Sequence, residues 1–94
     1  MIIIAGWLDV DPETRDAYLR DCLPAIELAR AAHGCHAFVL APDPLLPGRI
    51  TVFERWECDE DLARFRGDGP DSAQTAQIRD ASVARYRVSA VEEP

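Results

Sequence analysis

Residues 49–57, Arg-Ile-Thr-Val-Phe-Glu-Arg-Trp-Glu, constrain the fold of this chain more than any other stretch. β-branched and aromatic side chains alternate along it, which is the pattern of a strand. Val52, Glu54 and Trp56 share one face, and Arg55 points the other way. Asp59-Glu60-Asp61 follows almost at once, an acidic helix start that suits the positive end of a helix dipole. The strand therefore leads directly into a helix, predicted to run from Asp59 through about Phe65.

The remaining elements fall into place around it. Ile2 to Val10 is predicted to be a first strand, with Ile2, Ile4, Gly6, Leu8 and Val10 on one face and Ile3, Ala5, Trp7 and Asp9 on the other. Apolar residues on both faces indicate a strand covered on both sides. Asp11-Pro12-Glu13 is a helix start: Asp11 can cap free N–H groups, and Pro12 suits the first helical position. That helix is predicted to reach about Ala32. Its apolar stripe is Tyr18, Cys22, Ile26 and Ala29, flanked by Leu19 and Leu23. Pro24 lies inside the stripe and predicts a bend rather than an end. His33-Gly34 closes the helix, with Gly34 as a left-handed cap.

Cys35 to Ala41 is a second strand, joined by the turn-rich residues 42–48 to the strand at 50–57 as a hairpin with a long tip. Gly67-Asp68-Gly69-Pro70 breaks the helix after Phe65. Asp71 or Ser72 can cap a further helix to about Asp80, and Val83 to Ala90 alternates as a last strand. The order β-α-β-β-α-β, over a single domain of residues 1–94, predicts an α+β ferredoxin-like split fold with a four-stranded antiparallel sheet. Apolar residues on the sheet face away from the helices predict a homodimer.

Composition excludes several function classes. With 17 acidic and 10 basic residues the net charge is −7, against nucleic acid and anionic membrane surfaces as partners. All the basic residues are Arg, so no Lys is present for Schiff-base chemistry. Cys22, Cys35 and Cys58 form neither a disulfide framework nor a zinc ribbon. Metal-ligand spacing, dinucleotide-binding glycines and a Gly-x-Ser-x-Gly elbow are all missing, so neither metal nor cofactor is expected. No stretch approaches a membrane span, and the N-terminal residues lack a signal-peptide pattern, so the cytoplasm is the expected compartment.

Three residues carry candidate chemistry. Trp56, at a strand end where loops meet, is either core or the wall of a pocket for a flat ligand. Glu54 shares its face; a carboxylate there either pairs with an Arg, with Arg85 and Arg87 as candidates, or serves as a base beside a pocket. His36 alternates with Phe38 and Leu40 and is either a satisfied core histidine or an acid–base group.

The N-terminal Ile-rich strand, Pro12, Gly34-Cys35, Phe53-Glu54-Arg55-Trp56 and the acidic helix start occur in an order that resembles the antibiotic biosynthesis monooxygenase family. The resemblance implies a dimeric α+β barrel of two four-stranded sheets. It also implies cofactor-independent oxygenation of a phenolic or quinol-type aromatic molecule by molecular oxygen. Trp56 would line the cavity, with Glu54 and His36 as possible bases and Tyr18, Phe38 and Tyr86 as further apolar walls. The haem-degrading branch has a His in the second helical region; residues 65–70 contain none, and some oxygenases have Asn where this chain has Val52. A non-catalytic small-ligand-binding or scaffold dimer of the same fold is the alternative.

Overall fold

A computed structural model of the chain describes residues 1–67 and 72–94. Its elements are β1 (Ile2–Asp9), α1 (Arg15–Ala31), β2 (Cys35–Pro42), β3 (Arg49–Trp56), α2 (Asp59–Arg66), α3 (Ser72–Ala76) and β4 (Asp80–Arg87). The four strands form one antiparallel sheet in the order β2-β3-β1-β4, the ferredoxin-like arrangement expected.

Register decides what meets on each face. On the helix-covered face, Phe38, Glu54, Ile4 and Arg85 form one row across the sheet. Cys35, Trp56, Ile2 and Arg87 form the next. Ile2, Ile4, Ile50 and Trp56 are buried there beneath Tyr18, Cys22, Ile26 and Ala29 of α1 and Leu62 of α2. The α1 residues recur every three or four positions, which places them on one stripe. Each large aliphatic side chain so buried contributes about 1.5–3 kcal/mol. Leu23, expected beside the stripe, points to solvent at 53% exposure.

Helix α1 continues unbroken through Pro24. Ile26 and Ala29 beyond it are buried, so packing holds the second half where a ladder hydrogen bond is lost. The start differs from expectation. Asp11 does cap, its carboxylate accepting the Glu13 N–H at 2.9 Å, but residues 12–14 form a turn and regular helix begins only at Arg15. The Thr14 N–H bonds to the Asp11 carbonyl at 3.0 Å, a tightened first turn.

The hairpin tip is organised by two side chains. The Asp43 carboxylate accepts the N–H groups of Leu45 and Leu46, at 2.9 and 2.8 Å. Arg15 reaches over from α1 to donate to the Leu46 carbonyl at 3.0 Å.

The last third also departs from expectation. Helix α3 ends at Ala76, not near residue 80, and β4 spans Asp80–Arg87. Asp80 pairs with Asp9, and this pairing draws residues 80–82 into the strand ahead of the alternating segment. The expected break at 67–70 and cap at Asp71 fall largely outside the described residues.

Among the described residues, no helix covers the opposite face of the sheet. Ile3, Ala5 and Trp7 of β1, Phe53 of β3, Ala37 and Val39 of β2 and Tyr86 of β4 lie on it by register. The Arg49 guanidinium covers the Trp7 ring at 3.7 Å and is held by Asp9 at 2.9 and 3.1 Å.

A buried carboxylate on the covered face

Strand alternation turns Glu54 and Trp56 toward the helices, and the core closes around them. Trp56 is completely enclosed, and Glu54 is only 8% exposed. The indole Nε1–H donates to Glu54 Oε1 at 3.0 Å. Phe65 of α2 stacks on Trp56 with ring centroids 5.4 Å apart, and Phe38 meets Phe65 edge-on at 5.9 Å. Trp56, Phe65 and Phe38 thus form an aromatic cage beside one carboxylate.

No ion pair joins Glu54 to any described residue. Burial pushes its pKa above the ordinary glutamate range; the Trp56 hydrogen bond and the charge of Arg66 oppose this without cancelling it. The expected pairing with Arg85 or Arg87 does not occur. Both bind Asp59 at the start of α2, at 2.5 and 2.8 Å. The reason is topological: β1 lies between β3 and β4, so Ile4 separates Glu54 from Arg85, whereas the first turn of α2 sits within reach of both Arg residues.

The other candidates separate into groups. Tyr18 and Phe38 belong to the same buried cluster as Trp56. Burial raises the Tyr18 hydroxyl pKa, with the Cys22 thiol one turn away adding to it. The Gln74 amide donates to Cys22 Sγ at 3.4 Å. Tyr86 is corrected: it pairs with Ile3 on the opposite face, 55% exposed, and cannot line a cavity between helices and sheet. His36 is corrected too, since it is exposed and not a core histidine. A bulge between Cys35 and Ala37 shifts the register, and His36 turns outward, where its Nε2–H donates to Glu57 at 2.7 Å.

Sequence reasoning missed Phe65, Arg66 and Arg30. Phe65 had a signal, since it follows the buried Leu62 by three positions on α2. Arg30 had none. It donates from Nε to the Phe38 carbonyl at 2.9 Å. With Cys35, His36, Ala37, Phe38 and Val39 it lines a depression of about 380 Å³ at the free edge of β2. Among the described residues, no three His, Cys, Asp or Glu side chains converge as metal ligands would.

Residues 1–79 match the antibiotic biosynthesis monooxygenase family. The chain belongs to that family. Strand β4 lies beyond the matched span yet completes the family sheet by pairing with β1. A provisionally named antibiotic biosynthesis monooxygenase from Deinococcus radiodurans superposes with a TM-score of 0.85 at 15% identity, over 100% of this chain and 98% of that one. Another so named, from Nitrosomonas europaea, gives 0.81 at 13% identity, over 96% and 100%. A conserved protein from Methanosarcina mazei Go1 gives 0.79 at 20%, over 92% and 90%. At such identities these likenesses establish the fold. No curated protein matches the chain. Among the described residues, no helix is long and apolar enough to cross a membrane.

Proposed function

We propose that this chain is a cofactor-independent monooxygenase acting with molecular oxygen on a phenolic or quinol-type aromatic molecule. The observation that carries the reading is Glu54: a buried carboxylate with no cationic partner among the described residues, next to an indole, with its pKa raised by desolvation. Such a group takes up a proton more readily than an exposed glutamate does.

The chemistry needs no external reductant. Glu54 accepts the hydroxyl proton of the arene, and the resulting anion is the electron-rich species that reduces oxygen. One oxygen atom enters the ring, the other leaves as water, and the arene is oxidised to a quinone. The aromatic cage of Phe38, Trp56 and Phe65 supplies apolar surface and keeps water from the anion. Homodimerisation through the open sheet face belongs to the same proposal. Val39 and Tyr86 are 38% and 55% exposed there, around the half-buried Ile3, Trp7 and Phe53. The pairing should bury more than roughly 1,000 Å² in total, and light scattering showing a monomer at micromolar concentration would remove this part of the proposal.

One observation favours the alternative, a non-catalytic ligand-binding or scaffold dimer: Trp56 has no exposed surface, so a ligand reaches it only if side chains packed over it, the stacked Phe65 among them, move. Oxygen uptake over a panel of quinols separates the two. The oxygenase reading expects turnover that Glu54→Gln lowers roughly 10²–10⁴-fold, the usual contribution of a general base. Unchanged turnover in that variant removes Glu54 from the mechanism, and no uptake with any quinol leaves the binding dimer.

A further inference from the structure

The depression at the free edge of β2 adjoins the Glu54 cage without being part of it. Phe38 is the shared wall: it lines the depression, pairs with Glu54 across the strands and touches Phe65. Cys35 is the second link. Burial raises its thiol pKa, the Ala37 carbonyl contact opposes this, the Glu54 charge raises it further and the Arg30 charge lowers it. Cys35 lines the depression and also pairs with Trp56 across the strands, so the depression and the Glu54 site share a boundary.

Arg30 is the cation of this surface. Its Nε is used by the Phe38 carbonyl, which anchors the guanidinium against the strand edge. Both Nη nitrogens are without a hydrogen-bond partner among the described residues. A guanidinium so held presents the paired N–H groups that take a carboxylate bidentately. On the other side the Glu57 carboxylate holds the His36 ring at the rim. Phe38 provides apolar lining together with Ala37 and Val39, which belong to the sheet face proposed above to pair with a second copy, and about 380 Å³ lies within the size of small-ligand sites, roughly 300–1,000 Å³. A cation held beside apolar lining suits an aromatic anion, and it does so locally against the net charge of −7 of the chain.

We propose that this depression recognises the carboxylate of an acidic hydroxyarene, with Arg30 as the residue that sets that specificity and Phe38 as the surface along which the ring extends toward Glu54. The inference rests on the oxygenase reading for the ring's destination; the recognition itself stands on the geometry of Arg30. It narrows the substrate class from phenols in general to aromatic carboxylates bearing a ring hydroxyl.

The test compares 1-hydroxy-2-naphthoate with 1-naphthol, titrated calorimetrically into the full chain. The carboxylate should bind about tenfold tighter, the gain of one well-formed ionic contact. Arg30→Gln should abolish that preference and Arg30→Lys should keep part of it, with circular dichroism confirming that both variants are folded. Equal affinity for the two probes, no binding of either, or a preference that survives in Arg30→Gln would overturn the proposal. Oxygen uptake is measured on the same samples. Arg30-dependent carboxylate binding without uptake upholds the recognition site and sinks the oxygenase reading. Uptake with uncharged quinols and no carboxylate preference does the reverse.

Discussion

Among the described residues, two carboxylates are buried to nearly the same extent, and their surroundings drive them in opposite directions. Asp61, in the first turn of α2, is 6% exposed; Glu54, on β3, is 8% exposed. Asp61 accepts from the Cys58 thiol at 3.2 Å and from Arg64 at 3.0 Å, with His33 at 4.0 Å. The Cys58 hydrogen bond, then the His33 charge and the Arg64 contact, hold its pKa below the ordinary aspartate value against the effect of burial. Glu54 has one neutral donor and a pKa raised by burial. Burial alone therefore does not define a reactive acid. A buried carboxylate that is met by cations is a joint; one left to an indole is held closer to its neutral form and is free to exchange a proton.

The joint is visible in the backbone. Gly34 has φ of 81°, and a Cβ there would come within 2.1 Å of Asp61 Oδ2. The carboxylate packs against the bare Cα of the α1–β2 turn, and the Gly34 carbonyl accepts the Glu57 N–H at 2.8 Å. Helix α2 is thereby fixed to the end of α1, which sets where Phe65 meets Trp56.

Mutation should separate the two carboxylates, and the largest effect belongs to the Glu54 side. Trp56→Ala removes an enclosed indole and the only hydrogen-bond donor that the described residues offer Glu54. It should cost about 3–5 kcal/mol in urea unfolding. A cost below that of a surface substitution would mean that the cage is not packed as observed. Next comes the joint. Gly34→Ala forces a side chain into a left-handed conformation and against Asp61, and should cost roughly 1–2 kcal/mol from the backbone alone; thermal melting of the variant checks it, and an unchanged midpoint would dissolve the joint.

The two acids should then part company with pH. The Asp61 pKa is lowered on folding, so its carboxylate stabilises the fold above the ordinary value of 3.8 and that stability is lost as pH falls through the depressed folded value. Asp61→Asn should therefore be less stable than wild type at pH 7, with the gap closing in acid. The Glu54 pKa is raised, so its stabilising share is complete below 4.5 and is lost as pH rises through the elevated folded value. Glu54→Gln keeps an acceptor for the indole and removes the buried charge. It should melt slightly above wild type at pH 7 and level with it below about pH 4.5, the smallest and most specific of the expected shifts. Denaturant midpoints for both variants across pH 3–8 decide whether the signs are opposite, as burial with and without cations requires.

Much of the fold is legible in local pattern. The stripe Tyr18, Cys22, Ile26, Ala29 specifies which face of α1 is buried, because helical period alone groups those residues. The alternation at 49–57 specifies that Glu54 and Trp56 share a face, because a strand offers no other arrangement. Gly34 takes a positive φ of 81°, which its missing side chain permits, but it does so in the α1–β2 turn and not as the expected helix cap, since α1 ends at Ala31 and the extended Ala32 caps it. What the tertiary structure alone decided are the partners. Alternation pairs Arg85 with Arg87 on one face but does not say what lies above them; the docking of α2 puts Asp59 there and leaves Glu54 to Trp56. Alternation separates Tyr86 from Arg85 but not inside from outside; pairing of β4 with β1 sends Tyr86 to the open face. The bulge that turns His36 out toward Glu57 is a mismatch between two strands, and no single strand encodes it. Periodicity is a property of the chain taken alone, whereas register, burial and charge partnership arise only when distant segments meet.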